Sequence, residues 1–274
     1  MAYLKRNCVL TATSTRAIRE QWMVARARTR VPMLKAGQPE ILEIPAGYDD
    51  YLTKVQANPA FGETVKGMNW SFKLVEIDPL IAFQIQVELA RSANLCANVS
   101  EAAPLLDDML GPCLPLDVED IPASIGISGN TLTVEAQSMN LKFSRPDTSG
   151  APQLAELTVP NARKVRTVGL QFLPSSPLAQ VVRFRDRTYL KNGYHRAYGF
   201  GKAGATHLPC IYLEGNTTFP EIGLVPTATF QADLLESAAP PTVGHFVQDR
   251  AFVVELVSKR LALRINWSYQ LLAS

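Results

Sequence analysis

The stretch Lys191-Asn192-Gly193-Tyr194-His195-Arg196 sets a glycine, a histidine and an arginine side by side where an apolar run gives way to a helix-like one. Gly193 can take a positive φ and lets another group approach the backbone closely. His195 and Arg196 then fall in the first turn of the helix. Free N–H groups and the positive end of the helix dipole there suit an anion. Arg196 adds a forked donor that matches phosphate oxygens. His195 adds a hydrogen bond or a general acid or base, so it is the candidate catalytic group. Lys191, Arg183 and Arg185 would strengthen the field around such a site. The same residues also read as a strand end followed by an arginine that caps a surface.

Other motifs are missing. Gly199-Phe200-Gly201-Lys202-Ala203-Gly204 lacks the spacing of a phosphate-binding loop and lies inside or after the helix, not before it. The chain has no G-x-S-x-G elbow and no C-x-x-C pair. Cys8, Cys96, Cys113 and Cys210 fit no zinc spacing, so no metal ligands are assigned. Glu76, Asp78 and Asp186 are the carboxylates nearest the corner that could hold Mg²⁺, and each also reads as a turn or surface acid.

The elements that must position the corner follow from the pattern. Val181–Phe184 and Tyr189–Leu190 read as a hairpin turning at Arg185–Arg187, His195–Ala203 as a helix closed by Gly204, and Leu208–Leu213 as a strand. Upstream, Phe72–Ile77 alternates as a strand and Tyr48–Gln56 as a short helix. Ile81–Asn94 reads as helical or extended, and the Pro- and Gly-rich stretch from Leu95 to about Ser128 as loop with short helices. Thr131–Glu135 and Asn140–Phe143 look like paired strands, and Ala251–Val257 with Leu261–Asn266 like a last hairpin. Ser14–Thr29 reads as a basic amphipathic helix. Strands and helices do not alternate regularly, which points to α+β and not to a doubly wound sheet.

The 274 residues are 47% apolar and 19% charged, so the chain has enough apolar material for a sizeable core. No apolar run reaches the length of a membrane span, and with these cysteines a reducing cytoplasm is the expected location. The net charge is only +2, yet the charges are segregated. Between Arg91 and Lys142 there is no Lys or Arg, while Glu101, Asp107, Asp108, Asp117, Glu119, Asp120 and Glu135 supply acid. From Pro160 to Lys202 the balance inverts, and only Asp186 opposes Arg163, Lys164, Arg166 and the bases already named. A basic block around the corner favours an anionic ligand.

The whole context resembles the ParB/sulfiredoxin-like superfamily. Leu190–Leu213 is similar to its signature of strand, Gly, charged residues, short Ala-containing helix, Gly and Pro-entered strand. Lys73–Gln84 is similar to its opening strand and turn. The resemblance implies a ParB/sulfiredoxin-like core of a small mixed sheet with short helices over about 71–215, with an insertion at about 95–159. A mostly helical basic extension (1–70) and a C-terminal loop and hairpin (216–274) packed on the core would flank it. It also implies a nucleotide pocket for ATP or CTP, with Mg²⁺, in which Gly193, Tyr194, His195, Arg196 and Lys191 hold phosphate and Gln84 lies at the floor. In sulfiredoxin the motif is Gly-Cys-His-Arg. Here Tyr194 replaces the catalytic Cys, which excludes that chemistry. In chromosome-partitioning ParB proteins it is Gly-Glu-Arg-Arg, so CTP specificity does not carry over. Three functions compete: a nucleotide-binding switch or NTP hydrolase working with nucleic acid, a Mg-dependent DNase, and a non-enzymatic protein-interaction module with a degenerate pocket. Nucleotide, DNA, a second copy or a protein would be the partner, and no membrane.

Overall fold

The computed structural model describes residues 37–84, 87–97, 104–117, 123–136, 141–144, 155–158, 164–167, 171–174, 177–215, 218–224, 232–248 and 261–266. The chain forms two compact units, Met1–Val118 with Ser176–Glu255, and Glu119–Ser175 with Leu256–Ser274. The first begins with β1 (Ile41–Glu43), a single 3₁₀ turn, α1 (Asp49–Gln56), α2 (Pro59–Val65), β2 (Asn69–Glu76), α3 (Leu89–Leu95) and α4 (Leu106–Cys113). The chain then enters the second unit as β3 (Ala123–Ser128), β4 (Thr131–Ala136), β5 (Leu141–Ser144), β6 (Ala155–Thr158), β7 (Lys164–Thr167) and β8 (Gln171–Pro174). It returns as β9 (Gln180–Phe184), β10 (Arg187–Asn192), α5 (Tyr194–Lys202), β11 (His207–Glu214) and two single-turn helices, α6 (Ala232–Leu235) and α7 (Gly244–Val247). The last described strand, β12 (Leu261–Asn266), belongs to the second unit. The architecture is α+β, as the irregular order of elements in the sequence implies.

The first unit is built on a five-stranded mixed sheet in the order β1-β2-β11-β9-β10, in which only β11 and β9 run parallel. β11 is its central strand, and Leu208 to Leu213 are buried without interruption. That explains a continuous apolar run instead of an alternating one. It also raises the question of how Pro209 is tolerated, since proline cannot donate to a ladder. The amide of Ile211 donates to Ala179 O (2.9 Å), so odd positions of β11 point toward β9, and β9 first pairs at Ile211. Pro209 therefore turns its missing donor to the side where β9 has not yet begun. On the other side, Thr206 O accepts from Ile77 N at 2.9 Å.

β9 and β10 form the expected hairpin. Its turn is Arg185-Asp186, and Arg185 adopts φ 54°, the left-handed region that non-glycine residues avoid. The Arg185 guanidinium lies over the Phe184 ring at 4.9 Å and pairs with Glu236, which holds the turn in place. Beyond β10 the segment at Leu80–Ala82 continues the sheet. Ile81 N donates to Thr188 O (3.0 Å), Leu190 N to Ile81 O (3.0 Å), and Ala82 N to Pro241 O (2.8 Å). The segment over Ile81–Asn94, read as helical or extended, thus starts extended as this strap. It covers the sheet edge, and α3 follows only from Leu89.

The acidic stretch read as loop with short helices does hold a short helix, α4, and that helix contributes to the core. In α4, Met109, Leu110 and Cys113 are buried at helical spacing, while Asp107 and Asp108 lie in its first turn. Asp108 accepts from the amide of Leu105 at 3.0 Å, closing the helix start. The second unit therefore starts later than the expected insertion. The strand pairing there also differs. β4 pairs with β3 and with β12, and β5 pairs with β8. The expected C-terminal extension is thus divided. α6 and α7 belong to the first unit, while β12 joins the second across β4. Residues 251–257 and the basic helix at 14–29 lie outside the described residues.

The corner is held by close packing of α5 on α3. A Cβ on Gly199 would lie 2.4 Å from Cys96 Sγ and 2.8 Å from Ser92 Oγ. Ser92 Oγ is itself fixed, donating to His195 O at 2.6 Å. Gly199→Ala is expected to lower unfolding free energy by about 1–3 kcal/mol through overpacking, although alanine is the better helix former. Adding Cys96→Ala should recover part of that loss. Urea denaturation of the two single variants and the double variant measures the coupling.

Candidate functional site

Gly193 precedes α5 with φ 111°, so a side chain here would be strained, and a Cβ would also meet Ala179 Cβ at 3.3 Å. This is the one site in the corner where glycine is required on backbone grounds. It offers α5 no side-chain cap, in contrast to Asn58, whose Oδ1 accepts from Ala60 N at the start of α2.

Tyr194 is buried. Its hydroxyl accepts from the amides of Phe83 (2.9 Å) and Gln84 (3.4 Å), and its ring meets Phe83 edge-on at 6.0 Å. Burial raises its pKa, so it stays a neutral phenol. Tyr194 thus ties the strap beyond β2 to the first turn of α5. Gln84 does reach the corner, as the sequence suggested, but through its backbone amide.

Arg196 has different work from the phosphate contact its position suggested. It is 8% exposed. Its guanidinium donates to Pro112 O (3.0 Å), Cys113 O (3.4 Å) and Pro177 O. Pro112 and Cys113 end α4, where carbonyls lack intrahelical partners and the helix dipole is negative. Arg196 is therefore a C-terminal cap supplied by another helix. Burial lowers its pKa, but the group remains a cation. The nearby thiols stay protonated. Burial pushes Cys113 up to about 12 and Cys96 up to about 11, against the pull of Arg196.

His195 is partly buried, and its ring has no hydrogen-bonding partner among the described residues. Its pKa falls to about 4, first through burial and then through the positive charges of Arg91 and Arg196. At neutral pH it is an uncharged imidazole beside two cations. It can donate or accept one hydrogen bond, but it adds no positive charge.

The remaining bases do not gather here. Asn192 pairs with Gln180 at the corner end of the hairpin, while Arg183 pairs with Thr188 and Arg185 forms the distant turn. At about 3.3 Å per residue, Arg185 is roughly 20 Å along the strand from Gly193. Arg183 faces Glu214 at 4.0 Å, and Arg185 pairs with Glu236. Strand register thus sets both apart from the corner. Lys191 lies close in sequence, with its Cε 2.9 Å from where a Gly223 Cβ would be.

The candidate Mg²⁺ ligands are also separately engaged. Asp78 Oδ2 accepts from Gln248 Nε2 (2.7 Å), Glu76 Oε2 accepts from Glu40 N (3.0 Å), and Asp186 belongs to the hairpin turn. Among the described residues no three His, Cys, Asp or Glu side chains form a group that could hold a metal ion. No described helix is long and apolar enough to cross a membrane. Sequence reasoning missed Arg91, Ser92 and the end of α4. Only the Leu106/Met109/Leu110/Cys113 spacing signalled any of them.

Compared with protein-family models, with curated proteins and with solved structures, the chain matches none.

Two variants probe this corner. Arg196→Met is expected to cost about 2–4 kcal/mol of stability, because it leaves buried carbonyls unpaired. A surface phosphate ligand would cost almost nothing, and urea unfolding distinguishes the two. For His195, the folded pKa of about 4 lies below the ordinary 6.5, so the unfolded chain binds the proton more readily. The histidine's contribution is fully present above 6.5 and is lost as pH falls toward 4. The wild-type melting temperature should fall more steeply over that window than that of His195→Gln.

Proposed function

We propose that the chain is a ParB/sulfiredoxin-like α+β module that works by binding a protein partner and does not turn over a nucleotide. One observation carries this reading: the guanidinium of Arg196 is bonded to three carbonyls of its own chain. A triphosphate needs several cations, and with Arg196 engaged the corner offers Arg91 beside a neutral His195. Arg183 and Arg185 stand far along the hairpin and face carboxylates. Tyr194 fills the position where the resemblance expects a reactive side chain, and it is buried against Phe83. A protein partner has an open edge to use. Among the described residues β1 is unpaired on its outer side, and Ile41 and Leu42 are exposed there.

A second reading keeps phosphate at the corner. It is favoured by the uncapped start of α5 and the unbonded His195 ring, with Arg91 near it. Thermal melts with ATP, CTP and GTP, with and without Mg²⁺, decide between the two. A ligand at about 100 times its Kd stabilises by about 2.7 kcal/mol, which is several degrees in a chain of this size. The module reading expects no shift with any nucleotide. A nucleotide-specific rise that disappears in His195→Gln would replace it with the phosphate reading.

A further inference from the structure

In the second unit, β3, β4 and β12 form a sheet in the order β12-β4-β3, so β3 has one edge without a strand among the described residues. Natural edge strands are blunted by charge, proline, shortness or a covering segment. β3 has neither charge nor proline over its six residues, Ala-Ser-Ile-Gly-Ile-Ser. Ser124 to Ser128 are all exposed, Ile125 by 69% and Ile127 by 72%. The register places Ile125 opposite Val134 and Ile127 opposite Leu132, so the two isoleucines extend the apolar side of the sheet to its rim. Val134 is buried there, while the isoleucines are not.

The sequence of this edge is its own complement. Ser124-Ile125-Gly126-Ile127-Ser128 reads the same in both directions. We infer that β3 is the surface through which two copies of this chain pair, antiparallel, about a two-fold axis at Gly126. A two-fold contact must be self-complementary, residue i meeting j while j meets i. In this register Ile125 faces Ile127 of the second copy, Ser124 faces Ser128, and Gly126 faces Gly126. Every apolar residue meets an apolar one, and no like charges are opposed, because the strand carries none. An arbitrary partner strand would have to match this pattern, whereas a second copy does so by identity. The pair would join two three-stranded sheets into one with a continuous apolar side. A single strand pair is less than the area of a standard interface, so the dimer should be concentration-dependent. This inference does not depend on how the corner at Gly193 functions.

Sedimentation velocity from low micromolar concentration upward, on the full chain, is the test. Wild type should shift from monomer toward dimer, and Ile125→Lys with Ile127→Lys should remain monomeric. A wild type that stays monomeric throughout, or a dimer that survives the two lysines, overturns the proposal. Cysteine variants check the register independently of whether the lysine variant folds. In a Cys8→Ser background, Gly126→Cys should form a disulfide-linked dimer under mild oxidation, since directly opposed strand residues lie within disulfide range. Ser124→Cys, displaced from its own copy by four positions, should not. Equal cross-linking of the two, or none in Gly126→Cys, also overturns it.

Discussion

The buried cation of Arg196 fixes the geometry of the first unit. It joins three pieces of chain that are distant in sequence: the start of α5, the end of α4 and the turn that enters β9. Its bonding partners are backbone carbonyls and not carboxylates, and the nearby thiols are held protonated. What balances the charge is the negative end of α4 and carbonyls that would otherwise be unsatisfied. Each side of the contact would be costly without the other. An unpartnered guanidinium could not remain inside, and Pro112 O at the end of α4 would lose its bond to Arg196. Ala179 N donates to Cys113 O at 2.7 Å, so the same helix end also anchors the strand that leads into the hairpin.

The rest of the corner follows from that anchorage. With α5 held against the end of α4, its outer side must pack on α3, and Gly199 allows the approach. With the hairpin fixed at Ala179, β11 takes its place between β9 and β2, and Pro209 enters the sheet before β9 begins. The strap at Leu80–Ala82 then closes the β10 edge and delivers the amides of Phe83 and Gln84 to Tyr194. Tyr194 and Arg196 thus point in different directions from one helical turn, and both bind backbone. The ring of His195, between them, has no hydrogen bond among the described residues.

The local part of this was legible in the sequence. The hairpin around Arg185, the helix after Gly193, the positive φ at Gly204 and the buried run of β11 all follow from short-range patterns. The α+β class follows from their order. What was not legible is long-range. Gly-x-His-Arg carries the same residues whether the arginine turns outward to an anion or inward to a helix end. The choice depends on where α4 ends, and a stretch read as loop with short helices gave no such position, with Gly111 and Pro112 inside the helix. Arg183 and Arg185 are near the corner in sequence but far along a strand, so a charge block in the sequence did not make a basic pocket. The pairing of β12 with β4 spans more than a hundred residues, and no local pattern encodes it.

That long-range pairing has a structural consequence of its own. The second unit is assembled from an internal excursion and the end of the chain, and β4 lies between β3 and β12. Removing the excursion alone would take away the strand on which β12 pairs and expose a bare backbone edge. Removing the tail alone would uncover the other side of β4. One sheet of that unit, β12-β4-β3, is therefore interrupted in sequence by β9, β10, α5 and β11, the elements that form the corner. Arg196 bonds to Pro112, Cys113 and Pro177, and so the buried guanidinium that organises the first unit joins the two stretches of that unit that flank the excursion in sequence.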